Sequence, residues 1–290
     1  MAFLKVRPAH AVLLLACPDQ RGIVAAVAEF IARHDGNIVH AEQHTDLLEG
    51  TFFQRVEFEL DGFALRRDEI LPAMAPLATR FEMRVDLRFM DVPANTVILA
   101  SKQAHCLYDL LTRWITGELP ADISAVVSNH PDHGDYVRHL GIDFVHLPVA
   151  DGGKAAQEAL LLAELDRRRT DLVVLARYMQ ILSPTVVAEY PGRMINIHHS
   201  FLPAFVGANP YRQAHDRGVK LIGATAHYVT DQLDEGPIIE QETVRVTHRD
   251  DVAELTSKGR DLETIVLARA VRAHVDHRVL VSGTRTIVFD

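Results

Sequence analysis

Residues 171–203 read DLVVLARYMQILSPTVVAEYPGRMINIHHSFLP. Two short apolar runs, Leu172–Ala176 and Met194–Ile197, stand either side of a stretch long enough for a crossover connection. A strand that is apolar at nearly every position, rather than at every second one, is buried on both faces, as in a parallel sheet with helices above and below. Runs of this kind recur at Thr96–Ala100, Ile123–Ser128 and Phe144–Val149 with helical segments between them, and further strands are expected at Ile222–Val229 and Ile238–Val246. A helix from about Asp251 to His274 and a terminal hairpin, Val279–Val281 with Thr286–Phe289 around Gly283, complete residues 96–290 as one mostly parallel α/β domain.

Towards the amino terminus the rhythm changes. Val12–Ala16 is a short strand, and Asp19-Gln20-Arg21-Gly22 turns into a helix carrying Ile23, Val27, Phe30 and Ile31 on one face until Gly36-Asn37 ends it. Strands Ile38–His44 and Phe52–Leu60 follow, then a helix within Leu65–Thr79 that Pro72 and Pro76 should shorten or kink. Phe81, Met83, Val85, Leu87 and Phe89 alternate with charged residues as the last strand. The order βαββαβ is a ferredoxin-like plan over residues 1–90, and 91–95, with Pro93, reads as the linker. Two domains are also what 290 residues suggest.

With 48% apolar and 24% charged residues, the composition is that of a folded globular chain. A net charge of −9 opposes binding to nucleic acid, and the longest basic run, Arg167–Arg169, reads as a solvated helix end. Cys17 and Cys106 stand far apart, so no disulfide framework or four-thiolate zinc site is expected. The opening MAFLKVRPAH has no signal-peptide core and no apolar stretch is long enough to span a bilayer, so a cytoplasmic location without a membrane partner is expected.

Ligands of open parallel sheets bind beyond the carboxyl ends of the strands. There, Asn196 and His198 lie two apart on one strand and point to the same side. An amide donor and an imidazolium can together stabilise the oxyanion of a tetrahedral intermediate. Asp234, in the turn-rich loop Asp231–Pro237, could favour the charged imidazole if it reaches His198, and could take a proton from water. His130-Pro131-Asp132-His133 and the pair His198-His199 offer metal donors, but neighbours on a strand diverge, and no metal is expected. No G-x-G-x-x-G follows the first strand of the second domain, so no NAD cradle is expected.

The text around these residues, Asn196 to Pro203 with Gly207 and Pro210, then His227-Tyr228-Val229-Thr230 and Leu233-Asp234-Glu235-Gly236-Pro237, resembles the folate-dependent formyltransferase family from about Thr96 to Glu240. The resemblance implies that Asn196, His198 and Asp234 are catalytic. It further implies a pterin pocket lined by Arg177, Tyr178, Met179, Gln180 and Ile181, and flanked by Leu202, Pro203, Gly207, Leu233 and Glu235. Ser128-Asn129-His130-Pro131-Asp132 and Gly223-Ala224-Thr225-Ala226-His227-Tyr228 look like the branch that deformylates 10-formyltetrahydrofolate. That branch implies hydrolysis to formate and tetrahydrofolate, formate supply for purine synthesis, balanced one-carbon folate pools, and a folate substrate with no cofactor. Cys17–Val24 with Gly36-Asn37-Ile38 resembles an ACT domain. This implies a homodimer or homotetramer and an amino-acid effector such as glycine or methionine, at Asp19, Gly22, Ile23 and Asn37.

Transformylases of glycinamide ribonucleotide hold a phosphate on a glycine-rich loop after the first strand, where this chain has Ser101-Lys102-Gln103-Ala104-His105-Cys106-Leu107 without glycine. Transfer of the formyl group to an amine, of a nucleotide or an amino sugar, and an amino-acid sensor with an inactive second domain are the alternatives.

Overall fold

The computed structural model describes residues 7–149, 153–204 and 210–290, and they fall into two compact units. One takes in the described residues from Arg7 to Pro93 together with Asp276–Ser282 and Ile287–Asp290; the other takes in the described residues of Ala94–Val275 with Gly283–Thr286. The chain therefore returns to the first unit at its end, where the sequence reading had kept everything from 96 to 290 in the second.

In the first unit the strands are β1 (His10–Pro18), β2 (Ile38–Asp46), β3 (Thr51–Glu59) and β4 (Arg84–Phe89), with helices α1 (Ile23–Arg33) and α2 (Arg67–Phe81). The sheet order is β2-β3-β1-β4 with every neighbouring pair antiparallel. β1 is central and apolar on both faces. Leu13, Leu15 and Cys17 meet Ile23, Val27 and Ile31 of α1 and Ile70 and Met74 of α2, while Val12 and Leu14 meet Phe53, Met90, Leu280 and Phe289. The helices thus cover one face and the terminal residues help to cover the other.

Two expectations are corrected here. α2 runs from Arg67 to Phe81 through both prolines, whose side chains lie four apart on its exposed side. Phe81 is its last residue, not the start of a strand; its ring is buried, and Glu82, at φ 54°, ends the helix in the left-handed region.

The second unit begins with β5 (Asn95–Ala100), α3 (His105–Ile115), β6 (Asp122–Ser128), α4 (Gly134–His139), β7 (Asp143–His146) and α5 (Lys154–Arg167). It continues with β8 (Leu172–Ala176), α6 (Pro184–Glu189), β9 (Met194–His198), α7 (Pro210–Asp216), β10 (Leu221–Tyr228), β11 (Ile238–Arg245) and α8 (Val252–Val275). β12 (Val279–Ser282) and β13 (Arg285–Val288) follow as a two-stranded ribbon. The large sheet has the order β11-β10-β9-β8-β5-β6-β7. β7 to β9 pair in parallel, and β10 and β11 are antiparallel additions at one edge.

The strand order reverses between β5 and β8, and the carboxyl ends of these strands open the crevice that such a reversal creates. Ser101, just beyond β5, ties its walls together. Its hydroxyl donates to Asn129 Oδ1 at 2.7 Å and accepts from the Met179 N–H at 3.0 Å. Among the described residues no helix is long and apolar enough to cross a membrane.

Candidate active site

β9 ends at His198, and the antiparallel partner β10 places His227 directly opposite Asn196. The loop between β10 and β11 then folds back over this pair. Asp234 sits in the left-handed region at φ 59°, a conformation that aspartate tolerates better than most side chains, and its carboxylate reaches inwards. His198 Nδ1 lies 3.1 Å from Asp234 Oδ2, and His227 Nε2 lies 3.7 Å from Asp234 Oδ1. Two residues on, the position where a Cβ of Gly236 would stand is 1.7 Å from the Tyr228 carbonyl oxygen, so this return of the loop requires glycine.

The tautomers follow from the contacts. His227 Nδ1 is 2.9 Å from the Tyr228 carbonyl, which can only accept, so Nδ1 carries the proton and a neutral ring offers Nε2 as acceptor. Asn196 Nδ2 lies 3.2 Å from that nitrogen, and the donation fixes which end of the amide is the donor. His198 Nδ1 donates to Asp234, leaving Nε2 buried without a partner among the described residues. Burial pushes the Asp234 carboxyl up, but the hydrogen bond from His198, with the His227 ring beside it, outweighs this and holds it far below the usual carboxylate range.

These side chains line a cleft of about 880 Å³. One wall is the segment after β8 with Arg177, Tyr178, Met179, Gln180 and Ile181, and the loop carrying Leu233 flanks it. The first turns of α5 hold that segment: Gln157 Nε2 donates to the Tyr178 hydroxyl at 2.9 Å, and Glu158 accepts the Ser183 N–H at 2.9 Å.

The formyl transferase family pattern matches residues 94–271, and the ACT domain pattern matches residues 11–75. The formyltetrahydrofolate deformylase of a Synechocystis species is 55% identical over 96% of this chain and 98% of its own length. The chain belongs to the formyl transferase family, in its formyltetrahydrofolate deformylase branch. The crystal structure of a formyltetrahydrofolate deformylase from Pseudomonas syringae pv. tomato superposes with TM-score 0.95 at 48% identity, covering 99% of this chain and 96% of that one. A glycinamide ribonucleotide transformylase from Symbiobacterium toebii has TM-score 0.66 and 32% identity, over 71% of this chain and 98% of that one. The deformylase likeness thus spans both units.

Not every residue expected at this formyl transferase pocket lines it. Leu202 is buried against the sheet edge, its N–H donating to Thr225 Oγ1 and its carbonyl accepting from Gln241, both at 3.0 Å. Pro203 and Glu235 are exposed and lie outside the cleft lining, the latter because the turn at Asp234 directs the next side chain outwards. Gly207 falls outside the described residues. In the ACT domain Ile23 is a core side chain, Asn37 Nδ2 donates to Glu59 at 2.9 Å, and Asp19 and Gly22 are exposed.

The cleft also holds groups that sequence reasoning assigned no role. His199 was expected to diverge from His198, but the strand has ended, and its ring lies 5.2 Å from that of His198 in the cleft lining. Burial and the neighbouring Arg177 push His199 down to about 4, so it is neutral at physiological pH. Behind it lies a buried cluster. Glu263 of α8 takes the His105 ring at 2.7 Å and the Arg177 guanidinium at 3.3 Å on Oε2, and the Tyr211 hydroxyl at 2.5 Å on Oε1. Arg177 is held at φ 60° and also donates to Gln103 at 3.3 Å. Cys106 joins His105 and Glu263 in a metal-like grouping, but burial pushes its thiol well up, and a protonated thiol beside a guanidinium is a poor cation ligand.

Proposed function

We propose that the chain hydrolyses 10-formyltetrahydrofolate to formate and tetrahydrofolate, with Asn196, His198 and Asp234 as its catalytic side chains. The observation that carries this reading is the His198 imidazole, anchored through Nδ1 on Asp234 while a buried, unpartnered Nε2 remains for the reacting group.

Water attacks the formyl carbon, and its oxygen forms the new C–O bond. The carbonyl oxygen gains charge beside the remaining Asn196 N–H and a protonated His198 Nε2, the two donors an oxyanion needs. His198 then passes a proton to N10 as the C–N bond breaks, and it recovers one from the added water. Asp234 stays ionised throughout and is too weak a base to deprotonate water. Its part is to fix the imidazole and balance its charge, which narrows the two roles open to it from the sequence. The wall from Tyr178 to Ile181 takes the pterin, and Leu233 flanks it.

The experiment is to incubate the purified protein with 10-formyltetrahydrofolate and no amine. Formate release at a steady rate is expected, and none means a transferase. Removing one oxyanion donor costs roughly 100- to 1000-fold, so His198→Ala should lose that much turnover while folate binding stays measurable. For the ACT domain we assign an amino-acid effector near Asp19, Gly22 and Asn37; calorimetric titration with glycine and methionine without heat would remove it.

A further inference from the structure

The large sheet that carries this site is also the sheet of transformylases, which pass a formyl group to an amine, so something must exclude amines here. We infer that Tyr211, by capping Glu263 at the wall of the cleft, makes water the formyl acceptor. This rests on the hydrolase reading above and names what enforces it.

Three observations place the selection there. First, Glu263 is a carboxylate at the cleft wall with both oxygens already engaged: Oε1 accepts from the Tyr211 hydroxyl, and Oε2 meets His105 and Arg177. Burial alone would neutralise it, but His105, Arg177 and Tyr211 hold its acidity on the ionised side. Second, the cap is built in. The phenol of Tyr211 lies over Gly259 of α8, one turn before Glu263, where a Cβ would come within 2.1 Å of the hydroxyl oxygen. Third, the charge of Arg177 outweighs that of Glu263 at His199. The His199 ring stands 5.2 Å from that of His198 and 6.1 Å from that of Tyr211, and Arg177 contributes to keeping it uncharged.

A primary amine is mostly an ammonium ion near neutral pH, and it enters a buried site only where a carboxylate can pair with it. Asp234 is occupied by His198, and Glu263 is paired and capped. An ammonium therefore finds both carboxylates already matched and no counter-ion of its own, while neutral water enters without that cost. Without the Tyr211 hydroxyl, Oε1 of Glu263 becomes the missing partner. The ammonium would first pass a proton to Oε1 of Glu263, its freed nitrogen would bond to the formyl carbon, and N10 would leave as the C–N bond breaks with the second proton that the amine loses.

The test compares wild type with Tyr211→Phe, using 10-formyltetrahydrofolate and glycinamide as the probe amine, and measures formate and N-formylglycinamide together. Wild type should give formate alone. In the variant the ratio of formylated amine to formate should rise about tenfold or more above background, as expected for one charge-assisted contact. Gly259→Ala, which pushes the phenol off Glu263 without touching the carboxylate, should move the ratio the same way and covers the case in which the first variant does not fold. A folded variant of either kind that yields only formate overturns the inference, as does wild type that already formylates glycinamide. A wild type that releases no formate without amine instead overturns the hydrolase reading itself.

Discussion

Asp234 has two carboxylate oxygens, with His198 Nδ1 3.1 Å from one and His227 3.7 Å from the other. Because the hydrogen bond from His198 favours the charged form, its acidity in the folded protein is stronger than in the unfolded chain. A group depressed in this way stabilises the fold at every pH above its unfolded value, near 3.9, and that contribution fades as pH falls below it towards the folded value. A hydrogen bond to a charged group contributes about 1.5–3 kcal/mol. Asp234→Asn should therefore lower Tm by about 3–10 °C at pH 7. The gap between the two proteins should hold constant down to about pH 5 and narrow below pH 4. Calorimetric scans from pH 3 to 8 check this; a gap that widens in acid would contradict the pairing. At this scale the common side of Asn196 and His198 was legible from their spacing on one strand, and Asp234 was singled out by the resemblance. His227 was not, because its place opposite Asn196 depends on β10 running antiparallel to β9, and neighbouring strands are not written in either segment alone.

α5 is read from the sequence only as a helix, yet its first turns fix the wall proposed to take the pterin. The Gln157 amide and the Glu158 carboxylate are buried side chains that hold Tyr178 and the N–H of Ser183. Gln157→Leu keeps the helix and removes the amide, freeing the buried Tyr178 hydroxyl. The expected outcome is a KM for 10-formyltetrahydrofolate raised about 3- to 10-fold with kcat changed much less, since a wall that holds the pterin acts on ground and transition states alike. Steady-state kinetics decide it, and an equal fall in kcat at constant KM would place Tyr178 in the chemistry instead. Elements were legible where burial was simple: β8 and the inner stretches of β5 and β6 are apolar at successive positions, as strands buried on both faces are. They were not where two periods overlap. Phe81 fits both the alternation of β4 and the buried face of α2, and the left-handed turn at Glu82 is what assigns it to the helix. The resemblance puts Leu202 and Pro203 at the cleft, but hydrogen bonds to β10 and β11 draw Leu202 to the sheet edge.

Across the whole molecule the least legible feature is the destination of the last fifteen residues. Alternating apolar positions announce a hairpin but do not say which surface it covers. Leu280 and Phe289 lie on Val12, Leu14, Phe53 and Met90, while the carbonyls of Asp276 and His277 accept from Arg55, a buried guanidinium at 3% exposure. Ending the chain after Val275 removes both groups of contacts. Losing the burial of two large apolar side chains alone costs roughly 3–6 kcal/mol, and Arg55 is left short of acceptors. The first unit should then melt well below its temperature in the full chain, with its exposed sheet face binding an apolar dye; an unchanged melting profile would refute this. The same topology orders events during synthesis. The ribosome delivers the ferredoxin-like segment before the second unit, but one side of its sheet lacks part of its cover until residues 276–290 are translated. A sheet made ahead of the second unit is thus completed after it, and while that unit is being translated the bare apolar positions are the surface a chaperone would have to shield.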